Sequence, residues 1–146
     1  MAHRTFFSFY YEEDVQRASV VRNSGALKEG DVEFIDGSLW EKAKRQSDAA
    51  IQRLIDDALT RTAVTAVLIG TNTFGREWVN YEISESMRLR KGLLGIYIHN
   101  IPDFVGNTER KGSNPVPSRY DTYDWVYDDG YKNLGSWVDD AYDNAY

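Results

Sequence analysis

The sequence predicts an α/β domain, a central and mainly parallel sheet of about five strands with helices on both faces. Three observations lead there. Short β-prone apolar blocks alternate with amphipathic stretches of helical period along the chain. Two blocks, "AVTAVLIG" at 63–70 and "GLLGIYI" at 92–98, are apolar nearly throughout, as parallel strands covered on both faces must be. The 146 residues, 42% hydrophobic and 27% charged, suit one domain with a real core and leave little room for a second. One domain over 1–146 is therefore expected, of the three-layer, flavodoxin-like size rather than the larger dinucleotide-binding one.

The elements follow in order. "TFFSF", 5–9, is a short buried strand, and "YYEEDVQRASVVRNSG" a helix with acids in its first turn and Gly25 as its stop. Its inward stripe is read as Val15, Ala18, Val21 and Arg22. "VEFI", 32–35, is a second strand, closed by Asp36 and Gly37. A single helix is expected from 38 to about 61, opened by a capping box of Ser38 and Glu41. Trp40, Ala43, Ile51, Leu54, Ile55 and Ala58 form its apolar stripe. The strand at 63–70 leads to a helix at about 75–90, and that to the strand at 92–98. All three prolines fall in the segment that follows, so about 99–120 reads as a long irregular loop. "TYDWVYD" and "YKNLGSWVDDAYDNAY" supply a C-terminal strand and helix over about 121–146. Their interleaved rings and acids read as packing before they read as a ligand surface.

Composition removes several functions. Without cysteine there is no disulfide, thiolate metal site or cysteine nucleophile, and two distant histidines, His3 and His99, do not suggest zinc. No metal site is expected. A net charge of −6 and a pI near 4.9 argue against nucleic acid. The basic run "RLRKG" closes a helix, where cations favour the dipole. No apolar run approaches a membrane span, and "MAHRTFF" lacks a signal-peptide core, so no membrane association and a cytoplasmic location are expected.

Motif chemistry narrows the rest. No GxGxxG, GxxxxGK[ST] or GxSxG occurs, and the acids after strands one and three that a phospho-acceptor domain needs are absent or a turn late. Parallel sheets bind ligands at the carboxyl ends of their strands, which nominates Ser8 to Tyr11, Asp36 to Ser38, Gly70 to Phe74, His99 and Asn100. In "REWVNYEISES", Trp78, Glu82 and Glu85 fall at offsets 0, 4 and 7 and share one helical stripe. A carboxylate screened by that tryptophan could support a developing cation on a sugar. Spacing alone leaves both glutamates open, as solvated charges or as a catalyst. Asp36 is equally a turn residue, and Phe9 and Tyr10 are by default packing residues.

Taken together, "RTFFSFYYEED", "VRNS", "FIDGSLWEKAKRQSDAAIQRLIDDAL", "TAVTAVLIGTNTFGREWVNYEI", "GLLGIYIHNI" and "KGSNPVP" resemble the TIR-like domains of bacterial Thoeris antiphage systems, in colinear order over about 4–117. The resemblance implies a flavodoxin-like TIR fold and an NAD-processing enzyme, a glycohydrolase or ADP-ribosyl cyclase. It maps the catalytic glutamate of the Trp-x-x-x-Glu helix onto Glu82, with Trp78 four residues before it. It further implies substrate-binding positions at Ser8, Phe9, Tyr10, Asp36, Trp78 and His99, and NAD as substrate with no separate cofactor. The implied product is a cyclic ADP-ribose-type signal that activates a separate effector after a phage-derived trigger, with self-assembly possible. One departure stands out: "IDGSLWEKA" runs almost directly into a helix, where many TIR domains carry a protruding assembly loop. Two other readings remain, a non-catalytic TIR adaptor and a nucleotide sensor.

Overall fold

Five strands make one sheet in the order β2-β1-β3-β4-β5, and every neighbouring pair is parallel. They are β1 (Thr5–Ser8), β2 (Val32–Glu33), β3 (Val64–Ile69), β4 (Gly92–Tyr97) and β5 (Thr122–Asp124). The structure is a computed structural model and describes residues 3–145; positions 1, 2 and 146 of the expected 1–146 domain lie outside the described residues. This strand order is the flavodoxin-like one, and its topological switch point lies between β1 and β3.

Alternation along the strands sorts side chains to the two faces. Phe7, Ala66, Leu68, Leu94 and Ile96 meet Ala18 and Val21 of helix α1 (Tyr11–Asn23) and Leu134, Trp137 and Val138 of α5 (Gly130–Asp143). On the opposite face Phe6 meets Trp40 of α2 (Gly37–Gln46) and Ile51 and Ile55 of α3 (Asp48–Thr60). Val67, Ile69 and Leu93 meet Val79 and Ile83 of α4 (Glu77–Arg88). These three layers are the expected ones. Full burial of one such side chain contributes about 1.5–3 kcal/mol.

Several local expectations are corrected. The helix at 38–61 is two helices, because Ser47 is fully extended (φ −177°, ψ 167°) and its hydroxyl caps α3 by accepting from the Ala50 amide. Ser38 does not cap α2; Asp36 does, accepting from the Leu39 amide at 3.0 Å while the Ser38 hydroxyl donates to the same carboxylate. On α1 the buried face is Asp14, Arg17, Ala18 and Val21, with Arg22 exposed. The strand expected at "TYDWVYD" stops at Asp124, whose carboxylate accepts from the amides of Val126 and Tyr127 and turns the chain. Gly130 then opens α5 against the Trp125 ring, where a Cβ would come within 2.1 Å. The 99–120 segment is irregular, as its prolines suggested, and the C-terminal rings do pack, Tyr123 stacking on Trp137 at 4.2 Å.

Candidate active site

β1 ends at Ser8, whose side chain faces α4 across the switch point. Its hydroxyl donates to Oε1 of Glu82 at 2.7 Å, between residues 74 apart in sequence. Both are buried, Glu82 to 4% exposure. Helix α4 is fixed for this contact by Ser86. The Ser86 hydroxyl donates to the Glu82 carbonyl at 2.7 Å and lies 2.7 Å from the Thr65 hydroxyl on β3. Burial pushes the Glu82 carboxyl up to about 8, and the Ser8 hydrogen bond pulls the other way. Loss of water costs the charged form more than one hydroxyl returns.

Glu82 borders a small, partly open pocket of about 10 Å³ walled by Phe6, Phe9, Tyr11, Ile35 and Trp40, space for about one water. Outside it lies a cleft of about 250 Å³, lined by Phe9, Tyr10, Tyr11, Trp40, Arg76 and Trp78 among others. Phe9, Tyr11 and Trp40 belong to both and form the partition. Tyr11 stacks on Trp40 at 5.4 Å and tilts against Phe9 at 5.8 Å. Burial raises the Tyr11 phenol above its usual range, and the charges of Glu41 and Asp36 add to it. Three larger cavities, of about 380, 350 and 280 Å³, lie at the opposite ends of the strands, and no ionisable side chain that lines them is buried. The buried carboxyl of Glu82 lies instead at the smaller pair.

Ser8, Phe9, Tyr10, Trp78 and Glu82 are thus brought together, as nominated. Trp78 is half-buried one turn before Glu82, edge-on to Tyr81 at 5.8 Å, and lines the outer cleft. Asp36 stands beside Tyr11, but its carboxylate caps α2 and is held below its usual range by the Leu39 amide and the Ser38 hydroxyl. His99 lines neither cavity: it sits beyond β4 with Nε2 4.0 Å from Asp124 and its ring edge-on to Tyr97. Asn100 donates to the same Asp124 carboxylate at 3.0 Å, so both residues belong to the β4–β5 edge. Glu85 is tied to Arg88 by hydrogen bonds of 2.9 and 3.0 Å and held below the usual carboxylate range by it. Geometry separates the two glutamates that spacing could not.

Sequence reasoning missed two features. Arg76 reaches over the outer cleft with its guanidinium 4.0 Å from the Tyr10 ring centroid. A second buried polar cluster fastens the irregular loop to α1. Arg17 donates to the carbonyls of Ile101 (2.7 Å) and Asn107 (2.9 Å) and lies 3.5 Å from Glu109. Beside it Asp14 is 1% exposed and accepts from Thr73 at 3.2 Å. Burial, then the charge of Glu109, push its carboxyl up to about 7. A signal existed: Asp14, Arg17, Ala18 and Val21 keep i, i+3, i+4, i+7 spacing. Among the described residues no group of three or more His, Cys, Asp or Glu could hold a metal ion, and no helix is long and apolar enough to cross a membrane.

Fold and site together define a flavodoxin-like α/β domain with the buried Glu82 carboxyl held by Ser8 at its switch point. A family model described as "Thoeris protein ThsB, TIR-like domain" matches residues 6–103. The chain is also 35% identical to a Bacillus cereus (strain MSX-D12) protein provisionally named cyclic ADP-D-ribose synthase ThsB1, over 94% of this chain and 100% of that protein. The chain belongs to the Thoeris ThsB family of TIR-like domains.

Proposed function

We propose that the chain cleaves nicotinamide from NAD and closes the remaining ADP-ribose into a cyclic product, with Glu82 as the catalytic carboxylate. The observation that carries this is the Glu82 carboxyl, buried, held by Ser8 and walled by aromatic rings at the strand ends. The name of the Bacillus cereus relative points the same way.

The chemistry asks little of acid catalysis. Nicotinamide leaves a ribose as a neutral base, taking the electron pair of the C–N bond, so no proton must be supplied. What needs stabilising is the oxocarbenium-like ribose left behind, and a carboxylate in a water-poor chamber interacts strongly with it. Buried and without a charged partner, Glu82 favours its neutral form. An arriving pyridinium cation favours ionisation, because an opposite charge nearby lowers a carboxyl pKa. A nucleophilic atom of the same ADP-ribose then bonds to the anomeric carbon and gives up its proton. Phe9, Tyr11 and Trp40 keep water from taking its place. In this reading the product carries the signal to a separate effector, and a phage-derived trigger starts the reaction in the cytoplasm.

The test incubates the chain, or cells challenged with phage, with NAD and follows nicotinamide and cyclic ADP-ribose species by mass spectrometry. Product should vanish with Glu82→Gln and persist with Glu85→Gln. The reverse pattern would move the role one turn along α4. A pocket at Glu82 with space for only about one water favours a second reading, a TIR module that recruits partners without turnover. Wild-type chain that yields no product under any infection condition would favour that reading, and stoichiometric NAD binding without turnover would favour a nucleotide sensor.

A further inference from the structure

The outer cleft is aromatic except at one place. Of the residues lining it, Arg76 is the only cation, and the two other charged residues, Glu12 and Glu77, are acids. Its guanidinium is held in place on two sides, by the Tyr10 ring at 4.0 Å and by its own Nε donating to the Asn72 carbonyl at 2.8 Å. That contact uses one of five N–H donors. Among the described residues no carboxylate comes within salt-bridge distance of it, although the chain carries 23 acidic side chains and a net charge of −6. An oriented, unneutralised arginine at the mouth of an aromatic cleft suits a doubly acceptor-rich anion, since the planar fork matches phosphate oxygens in pairs.

We infer that Arg76 binds the diphosphate of the dinucleotide and makes the site select NAD over nicotinamide nucleosides that lack it. The inference rests on the NAD reading above. Arg76 is the N-cap of α4 and Glu82 lies six residues on, which puts their Cα atoms about 9 Å apart along the axis. A ribose held at Glu82 carries its 5′-diphosphate toward the cleft mouth, and the long Arg76 side chain spans the remaining distance. Phe9, Tyr10 and Trp78 line the cleft there and make it apolar enough to receive the adenine. Arg76 acts here as a specificity residue, away from the bond that breaks.

The test uses the full chain with Arg76→Gln and Arg76→Lys, each checked for folding by its circular dichroism melt. Nicotinamide release is measured from NAD and from nicotinamide riboside, which has the same glycosidic bond and no phosphate. With Arg76→Gln the ratio of kcat/KM for NAD to that for the riboside should fall about 10–100-fold, chiefly through KM, with partial rescue by lysine. An unchanged ratio overturns the inference, whether both substrates suffer equally or neither does. If the wild type turns over neither substrate, the NAD-cleavage reading fails separately and binding decides Arg76. Quenching of cleft tryptophan fluorescence by ADP-ribose and by inorganic pyrophosphate should weaken by the same factor in Arg76→Gln. Equal quenching in both proteins overturns the inference.

Discussion

Replacing Glu82 by glutamine should make the protein more resistant to unfolding, by an amount that grows with pH. In the folded chain the carboxyl titrates near 8; in the unfolded chain it titrates near the ordinary value of about 4.3. A folded pKa raised above the unfolded one gives stability that is fully present below about pH 4 and lost as pH rises through 8. Between pH 5 and 8 the native state keeps a proton that the unfolded state has released, which costs about 1.4 kcal/mol per pH unit. Across that window the wild type should lose on the order of 4 kcal/mol that Glu82→Gln keeps. Glutamine preserves the shape, and its carbonyl can still accept from Ser8. Fixed differences in packing or in the amide's other hydrogen bond cancel from the slope, as does the titration of Asp14, which both proteins share. Urea unfolding of the two proteins at pH 5, 6, 7 and 8 measures it. Stability curves that run parallel across that range would refute the burial argument, and with it the basis for treating Glu82 as a perturbed catalytic carboxyl.

Ser8→Ala removes the one interaction that favours the charged form of Glu82, so the rise of kcat/KM with pH should move to more alkaline values; an unmoved profile would show that the hydroxyl does not act on the carboxyl. Asp14→Asn should stabilise the fold above pH 7 and lose that advantage toward pH 4, by the same sign of linkage, in thermal melts across pH. Gly92→Ala should cost about 1–3 kcal/mol, because its Cβ would stand 2.8 Å from the Ala141 backbone, which cannot rotate aside. Glu85→Gln should cost no more than about 1 kcal/mol, since its partner Arg88 is largely exposed, and should leave nicotinamide release intact.

The layers were legible in the sequence because two periods, 2 and 3.6, and the fully apolar strands report burial directly. Ser47 was not, because Ala50, Ile51, Ile55 and Ala58 continue the apolar stripe past it and hide a break made by one extended residue. At the site, Trp78 and Glu82 were legible as neighbours on a helix, but nothing local tells which glutamate turns inward. That is decided by β3, which lies next to β1 and lets α4 lean over the end of the first strand. The resemblance chose Glu82, and the hydrogen bond from Ser8 supplies the physical reason that spacing lacked. Asp14 and Arg17 were overlooked for the opposite cause. Acids in a first helical turn are ordinarily explained by the dipole, and here one of them points into the protein.

The small size of the pocket at Glu82 and the raised Glu82 pKa have one cause. With space for about one water, the pocket offers the carboxylate almost no solvation, and a ribose brought against it must displace side chains of its wall, Tyr11 and Trp40 among them. Those two rings are joined to the start of the second helix: a Cβ on Gly37 would lie 2.2 Å from the Tyr11 hydroxyl, so the phenol is wedged against that turn. Opening that wall at Tyr11 and Trp40 would cost a stack worth about 0.5–1.5 kcal/mol and the apolar burial around it. A ribose seated there would bring hydroxyls that hydrogen-bond the carboxylate and lower its pKa toward the ordinary range. Protonation and opening are then linked in both directions: deprotonation of Glu82 favours the state in which polar groups reach it. A cationic substrate acts on the same equilibrium as a rise in pH, since both favour the ionised carboxylate. The affinity it shows is its intrinsic affinity reduced by the fraction of chains that are open. Whatever holds Tyr11 and Trp40 apart, whether a partner or a mutation, should raise apparent affinity without touching a catalytic group.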